Sequence, residues 1–191
     1  HSFLLAKLLT INTFMADFLF KILDIDSSTF EKIKEEITSF NSNVVSEPGR
    51  FNIVDTESTL MALPTIVKWF EENNLEVKQI AYISVGANVT QQAHIDSGEP
   101  SLALNFPVIN CENVTTQFFK FDQQDLTVQY TIGTKLPYLH YESTDKDVVG
   151  SFNLTQPTLL NIKMPHRVVN ETELERVSLS FRFKKDPWHL I

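Results

Sequence analysis

The feature that most restricts the fold of this chain is a series of eight short apolar or alternating segments, separated by turn residues. These segments span residues 80–85, 93–95, 102–109, 116–121, 126–132, 148–154, 158–162 and 177–183. Strands of this length, at this density over roughly a hundred residues, are typical of an antiparallel sandwich or barrel. We therefore predict a mainly β protein (α+β overall) whose core resembles a jelly roll.

Helices are predicted before this series, where apolar residues recur at helical spacing. Asp26 is an N-cap signal, and Phe30, Ile33 and Ile37 follow it on one helix face. A second helix is predicted at about residues 59–73. The helices thus come first and the β core follows.

The predicted organisation is one domain over residues 1–191, because the length suits a single core. Within it we predict a helical part over residues 15–76, with a short strand at 18–23, and a β core over residues 77–185.

The first residues of the chain allow several interpretations. Residues 1–14 are a non-native extension if Met15 is the natural start. Otherwise residues 3–23 form an amphipathic helix, an added strand, or a signal or membrane segment. Three charged side chains interrupt the apolar run and disfavour the last of these.

Composition excludes several classes of function. A net charge of −8 offers no broad basic surface for nucleic acid. The single cysteine, Cys111, excludes an intrachain disulfide and a cysteine-rich zinc site, and a reducing compartment is expected. We predict a cytoplasmic protein that acts on a small-molecule or peptide substrate, without membrane association; the sequence leaves its oligomeric state open.

One tripeptide and one distant histidine suggest a metal site. Side chains alternate along a strand, so His94 and Asp96 point to the same side and offer an imidazole and a carboxylate together. His166 could complete a set of two histidines and one carboxylate, which leaves half of an octahedral metal site open. Non-haem Fe(II) oxygenases use this arrangement. His140 is the competing third ligand, or a residue of the cavity mouth together with residues 110–114 and 134–147.

The last predicted strand carries polar residues on one face. Arg176, Ser178, Ser180 and Arg182 alternate with four apolar residues. An arginine can bind a carboxylate through two parallel hydrogen bonds, and a serine hydroxyl can add a third. We predict that Arg176 and Ser178 hold a carboxylate, with Arg182 as the alternative arginine. Asn105 is either a further cofactor contact or a structural amide.

These residues resemble the Fe(II)/2-oxoglutarate-dependent oxygenase superfamily, whose His-X-Asp…His…Arg-X-Ser pattern is matched by His94, Asp96, His166, Arg176 and Ser178. Arg176 follows the distal histidine by ten residues. The resemblance covers about residues 80–183, and the run after Pro165 is similar to the aspartyl/asparaginyl β-hydroxylase-like branch.

This resemblance implies a cupin-like double-stranded β-helix in which the third metal ligand comes from the opposite sheet. It implies Fe(II), 2-oxoglutarate and dioxygen as cofactors and co-substrates. The implied reaction converts 2-oxoglutarate to succinate and CO2 and hydroxylates a C–H bond, here of an amino-acid or peptidyl side chain. The alternatives are a cupin-like metal enzyme that does not use 2-oxoglutarate and a non-catalytic β-sandwich interaction module.

Overall fold

The computed structural model describes residues 18–41, 51–121, 126–131 and 136–191, which form three α-helices and thirteen β-strands. The helices are α1 (Ser27–Asn41), α2 (Thr56–Ala62) and α3 (Pro64–Glu72). The strands are β1 (Phe20–Ile22), β2 (Phe51–Val54), β3 (Val77–Val85), β4 (Val89–Thr90), β5 (His94–Asp96), β6 (Leu102–Ile109), β7 (Thr115–Phe119), β8 (Leu126–Tyr130), β9 (Pro137–Tyr141), β10 (Val148–Asn153), β11 (Thr158–Asn161), β12 (His166–Asn170) and β13 (Arg176–Phe183). The interpretations of residues 1–14 lie outside the described residues.

The strands form two antiparallel sheets. The first sheet has the order β1-β11-β6-β13-β3-β2, and the second has the order β10-β7-β12-β5-β9-β8, with β4 paired to β12. From β3 onward the chain crosses repeatedly between them: β3, β6, β11 and β13 belong to the first sheet, and β5, β7, β10 and β12 to the second. The prediction of a mainly β, antiparallel protein with preceding helices is confirmed. The division into a helical part and a β core stays a prediction, although β1 and β2 join the first sheet.

The three helices pack with the apolar face of the first sheet. Phe181 of β13 is fully buried, and its ring centroid lies 5.0 Å from that of Phe70 on α3 and 5.6 Å from that of Phe106 on β6. Ile33 and Ile66 of the helices belong to the same core cluster. Because strand side chains alternate, the polar residues of β13 face the other way, toward the second sheet.

The first helix begins as predicted. The Asp26 carboxylate accepts hydrogen bonds from the Ser28 hydroxyl at 2.7 Å and from the Thr29 amide at 3.0 Å. These bonds lower the pKa of Asp26 to about 2. The N-cap signal in the sequence therefore corresponds to a cap in the structure.

The prediction of a single helix over residues 59–73 is wrong, because the structure has two helices there, α2 and α3, which meet at Leu63. Pro64 has no amide hydrogen to continue the helix and instead occupies the first position of α3, where none is needed. The Glu36 carboxylate of α1 accepts hydrogen bonds from the Thr65 amide at 3.0 and 3.1 Å. It therefore caps α3 and joins it to α1.

Each of the eight predicted strand segments overlaps an observed strand, and β1 overlaps the predicted strand at 18–23. Four strands were not predicted: β2, β4, β9 and β12. The interpretations of residues 3–23 are tested only from residue 18 onward, because the residues before it lie outside the described part of the chain. In the described part of the chain, every helix falls short of the length and apolar character that a bilayer crossing requires.

Replacing Phe181 with alanine should lower the free energy of unfolding by about 3–5 kcal/mol, because it leaves a cavity where the helices meet the first sheet. Urea unfolding followed by circular dichroism measures this change. The matched control is Leu174→Ala, since the Leu174 side chain is 63% exposed and its loss should change stability by about 0.5 kcal/mol or less. Equal effects of the two substitutions would contradict this account of the core.

Candidate metal centre

The two histidines and the aspartate of the predicted site lie on neighbouring strands of the second sheet. β12 pairs with β5, and His166 stands directly opposite His94 in the register. One potential ligand atom from each of His94, Asp96 and His166 lies within 4.8 Å of the other two. The structure brings together the three residues that were predicted from the sequence. It was wrong that His166 comes from the opposite sheet, because β12 lies next to β5.

Both imidazole rings are oriented by backbone carbonyl groups. The Nδ1 atom of His94 lies 2.9 Å from the Gln92 carbonyl oxygen, and the Nδ1 atom of His166 lies 2.9 Å from the Met164 carbonyl oxygen. Each Nδ1–H therefore donates to a carbonyl two residues earlier, which leaves each Nε2 with its lone pair free for a metal. The ring centroids are 4.6 Å apart, and the His94 Nε2 atom lies 3.6 Å from an Asp96 carboxylate oxygen.

Asp96 forms an ion pair with Arg182 of β13, across the space between the sheets. Burial alone would raise the pKa of the Asp96 carboxyl. The guanidinium of Arg182 and the nearby imidazoles outweigh burial, so the pKa of Asp96 lies below its usual range. The carboxylate is therefore ionised at neutral pH, as a metal ligand must be.

His166 is held in its neutral form. Only 8% of the residue is exposed, and burial, followed by the proximity of His94, lowers the pKa of His166 to about 4. Neutral imidazole is the form that binds metals. At neutral pH this histidine therefore needs no deprotonation before it can bind an ion.

A cavity of about 310 Å³ lies between the sheets beside these three residues. Its second-sheet wall includes His94, Asp96 and His166, and its first-sheet wall includes Arg176 and Arg182 of β13. The polar face of β13 is therefore turned into the same space as the candidate ligands.

Several buried polar atoms of β6 and β13, in the first sheet, have no hydrogen-bond partner among the described residues. They are the Nε atom of Arg176, the Nη1 atom of Arg182, the Oγ atoms of Ser178 and Ser180, and the Oδ1 atom of Asn105. A buried polar atom without a partner costs about 1–3 kcal/mol, so a group of them indicates a place for a polar ligand.

The predicted cofactor contacts differ in their positions. Arg176 is 2% exposed, and both it and Asn105 line the cavity. Asn105 lies opposite Ser180 in the register, and Ser180 also lines the cavity. Ser178 is buried on the same strand but is not among the lining residues. The structure therefore adds Ser180 as a cavity-lining residue that was not singled out from the sequence.

His140 does not join the cluster, although it is next to it. It lies on β9 opposite His94, on the side away from His166, and outside the described group of close ligand atoms.

The prediction of which residues form the mouth of the cavity is partly wrong as well. Residues 110–114 do not line the cavity. In the described part of residues 134–147, Tyr138 is the residue that lines it. Tyr130, Gln92 and Phe51 also line the cavity.

Two features of the site were missed by the sequence analysis. The carbonyl groups of Gln92 and Met164 orient the histidines, and every residue has a carbonyl, so no residue type signals this role. The pairing of Arg182 with Asp96 depends on how the two sheets face each other. In the sequence, only the position of Arg182 on the polar face of β13 indicated that its side chain points between the sheets.

No family model matches the chain, and no curated protein matches it. Solved structures with a similar backbone include HygX from Streptomyces hygroscopicus with nickel and 2-oxoglutarate bound, at a TM-score of 0.49 and 10% identity, over 88% of this chain and 83% of that one. AviO1 from Streptomyces viridochromogenes Tue57 has a TM-score of 0.46 at 8% identity, over 88% and 90% of the two chains. A Pseudomonas putida prolyl-4-hydroxylase has a TM-score of 0.43 at 11% identity, over 90% and 95%. These values describe a partial similarity of backbone architecture, so a functional assignment depends on the site residues.

Acidification from pH 7 to pH 5 should destabilise the metal-free protein. The unfolded state takes up a proton on His166 near the ordinary pKa of 6.5, whereas folded His166 takes it up only near pH 4. The unfolded state therefore binds more protons between these values, and stability falls as the pH falls. At 1.36 kcal/mol per pKa unit, His166 should account for about 2 kcal/mol of this loss at pH 5.

Urea unfolding in the presence of a chelator, at both pH values, measures this loss. The control is His166→Gln, which removes the titrating group and should reduce the pH dependence by the same amount. An unchanged pH dependence in that variant would show that His166 is not the responsible group.

Proposed function

We propose that this protein is an Fe(II)- and 2-oxoglutarate-dependent oxygenase with a double-stranded β-helix core. The observation that carries the proposal is the convergence of His94, Asp96 and His166 on one point. They lie beside a cavity whose other wall carries buried arginine nitrogen atoms that have no hydrogen-bond partner in the described part of the chain. The strand order supports the fold assignment, because the chain crosses repeatedly between two antiparallel sheets, as it does in a jelly roll.

His94, Asp96 and His166 would hold the iron. The fit is supported by the two oriented imidazoles, each with a free Nε2, and by an ionised carboxylate. When bound, the iron supplies the oxidative chemistry that decarboxylates 2-oxoglutarate and attacks a C–H bond. The chain contributes ligand orientation, and it keeps His166 neutral and Asp96 charged.

Arg176 is the better candidate for the far carboxylate of 2-oxoglutarate. Arg182 already binds Asp96, whereas the Nε atom of Arg176 is buried and has no partner among the described residues. Ser180 and Asn105 face the cavity between the two arginines and would contact the middle of the co-substrate. Arg182 would then keep Asp96 in place and direct its second nitrogen into the cavity.

The buried Nε atom of Arg176, which has no hydrogen-bond partner among the described residues, favours this function over a cupin-like metal enzyme without 2-oxoglutarate, since that function provides no carboxylate for it. For the substrate we propose an amino-acid or peptidyl side chain on the sequence resemblance alone. The comparisons do not support the aspartyl/asparaginyl β-hydroxylase-like branch, so we assign none. A cytoplasmic location stays a prediction.

The purified protein with Fe(II) should convert 2-oxoglutarate to succinate, slowly without substrate, and should bind one divalent ion per chain. Alanine at His94, Asp96 or His166 should abolish both properties, because each removes a ligand. Succinate assay and calorimetric titration with Mn(II) measure them. The matched control is His140→Ala, which removes a neighbouring histidine outside the cluster and should keep metal binding. Loss of metal binding in His140→Ala alone would contradict the ligand set.

Replacing Arg176 with methionine should raise the KM for 2-oxoglutarate roughly 10- to 100-fold, since a charge-assisted hydrogen bond contributes about 1.5–3 kcal/mol. Metal affinity should not change. Displacement of N-oxalylglycine, a 2-oxoglutarate mimic, measures the effect on binding directly. The control is Arg167→Met, because Arg167 pairs with Asp145 and Gln117 instead of facing the cavity. Equal KM values in both variants would remove Arg176 from the co-substrate site.

A further inference from the structure

We infer that Lys163 is a positioning residue that fixes the spacing between the two strands that carry the metal ligands. This inference rests on the proposed function, because it concerns the ligands of that metal site. Lys163 lies in the turn between β11 and β12, three residues before His166. Lys163 is not itself among the residues that line the cavity, and its hydrogen bonds go to the backbone oxygen atoms of Asp96 and Gly98 instead of to a ligand atom.

The side chain of Lys163 is buried and reaches back to the other ligand strand. The residue is 6% exposed. Its Nζ atom donates a hydrogen bond to the Asp96 carbonyl oxygen at 3.0 Å, and a second, shorter one to the Gly98 carbonyl oxygen. A side chain from the turn before His166 therefore holds the residue that provides the carboxylate ligand.

A backbone bond reinforces the same connection. The Asp96 amide donates to the Ile162 carbonyl oxygen at 3.1 Å, so both backbone polar groups of Asp96 are held by residues 162 and 163. The turn itself is ordered, because the Lys163 amide donates to the Asn161 side-chain oxygen at 3.0 Å. The segments that carry Asp96 and His166 are thus joined through one ammonium group and one amide.

Burial makes this contact specific. An ammonium group removed from water is stable only where acceptors surround it, and here two carbonyl groups of one short segment provide them. The carboxylates of Glu99 and Asp96 also interact favourably with it. If the turn shifted, the ammonium would lose these acceptors without reaching water, so the arrangement resists small displacements.

Other contacts hold residues 99–102, which follow Asp96 in the chain, but do not reach His166. The Asp186 carboxylate accepts from the amides of Ser101 and Leu102 at 3.0 and 2.7 Å. Lys78 donates to the Glu99 carbonyl oxygen at 2.8 Å from an exposed position on β3. Lys78 therefore makes the same kind of bond to the same segment, without joining it to the second ligand strand.

The test is Co(II) binding to the full chain, measured by calorimetry and by visible absorption, with Lys163→Met compared with wild type and with Lys78→Met. Lys163→Met should weaken Co(II) binding roughly 10- to 100-fold, as loss of groups behind metal ligands does in other sites. The Co(II) absorption bands should also change in position and intensity, because they respond to ligand geometry. Lys78→Met should match wild type in both measurements.

Two further variants keep the inference open to refutation. Lys163→Gln retains one donor and replaces Lys163→Met if that variant does not fold, as judged by circular dichroism. Lys163→Arg retains the charge and the donors and should recover part of the affinity. If folded Lys163→Met or Lys163→Gln has the Co(II) affinity and spectrum of wild type, the inference about Lys163 is overturned while the proposed metal site stands. Failure of wild type itself to bind Co(II) would instead overturn the proposed metal site, and the inference with it.

Discussion

The structure depends on the alternation of β13, the strand at the centre of the first sheet. Its apolar face, with Phe181 and Phe183, is buried against the helices. Its polar face, from Arg176 to Arg182, can then point only between the sheets. Two guanidinium groups in such a place need carboxylates. One is provided by Asp96, and the other arginine is left facing the cavity. The packing of the helices and the polarity of the cavity are thus two results of one alternating pattern.

Charge around the candidate metal ligands is nearly balanced before any ligand enters, whereas Arg176 adds a positive charge to the same cavity. Asp96 carries one negative charge, Arg182 offsets it, and His166 is neutral because it is buried. A divalent cation would add two positive charges, and a dicarboxylate would offset them. Binding of the metal and of the co-substrate should therefore support each other, because either charge alone is costly in a space largely removed from water.

The sequence predicted what depends on local periodicity. Alternation placed His94 beside Asp96 and turned the arginines of β13 to one side, and Asp26 marked the start of α1. It missed β12 because polar residues occupy two of its three buried positions: His166 and Asn170 are buried on either side of Val168, and the Asn170 amide donates to the Val85 and Gly86 carbonyl groups. Which strand lies next to β5 is decided by pairing between distant segments, so the position of His166 in the same sheet could not be predicted.

The sequence favoured Arg176 for the carboxylate by its spacing from His166, but it could not show which arginine meets Asp96. Both lie on the same face of β13, six residues apart, and the alignment of the two sheets along this strand decides which one meets Asp96.

The place of β13 in the first sheet also affects when the protein can fold. It is the last strand in the chain, yet it lies between β6 and β3 and pairs with both. During synthesis, β3 and β6 emerge long before their common neighbour, and their edges stay unpaired until residue 183 has left the ribosome. A nascent chain of this kind exposes these two strand edges while residues 110–183 are synthesised, which favours association with other chains or with chaperones.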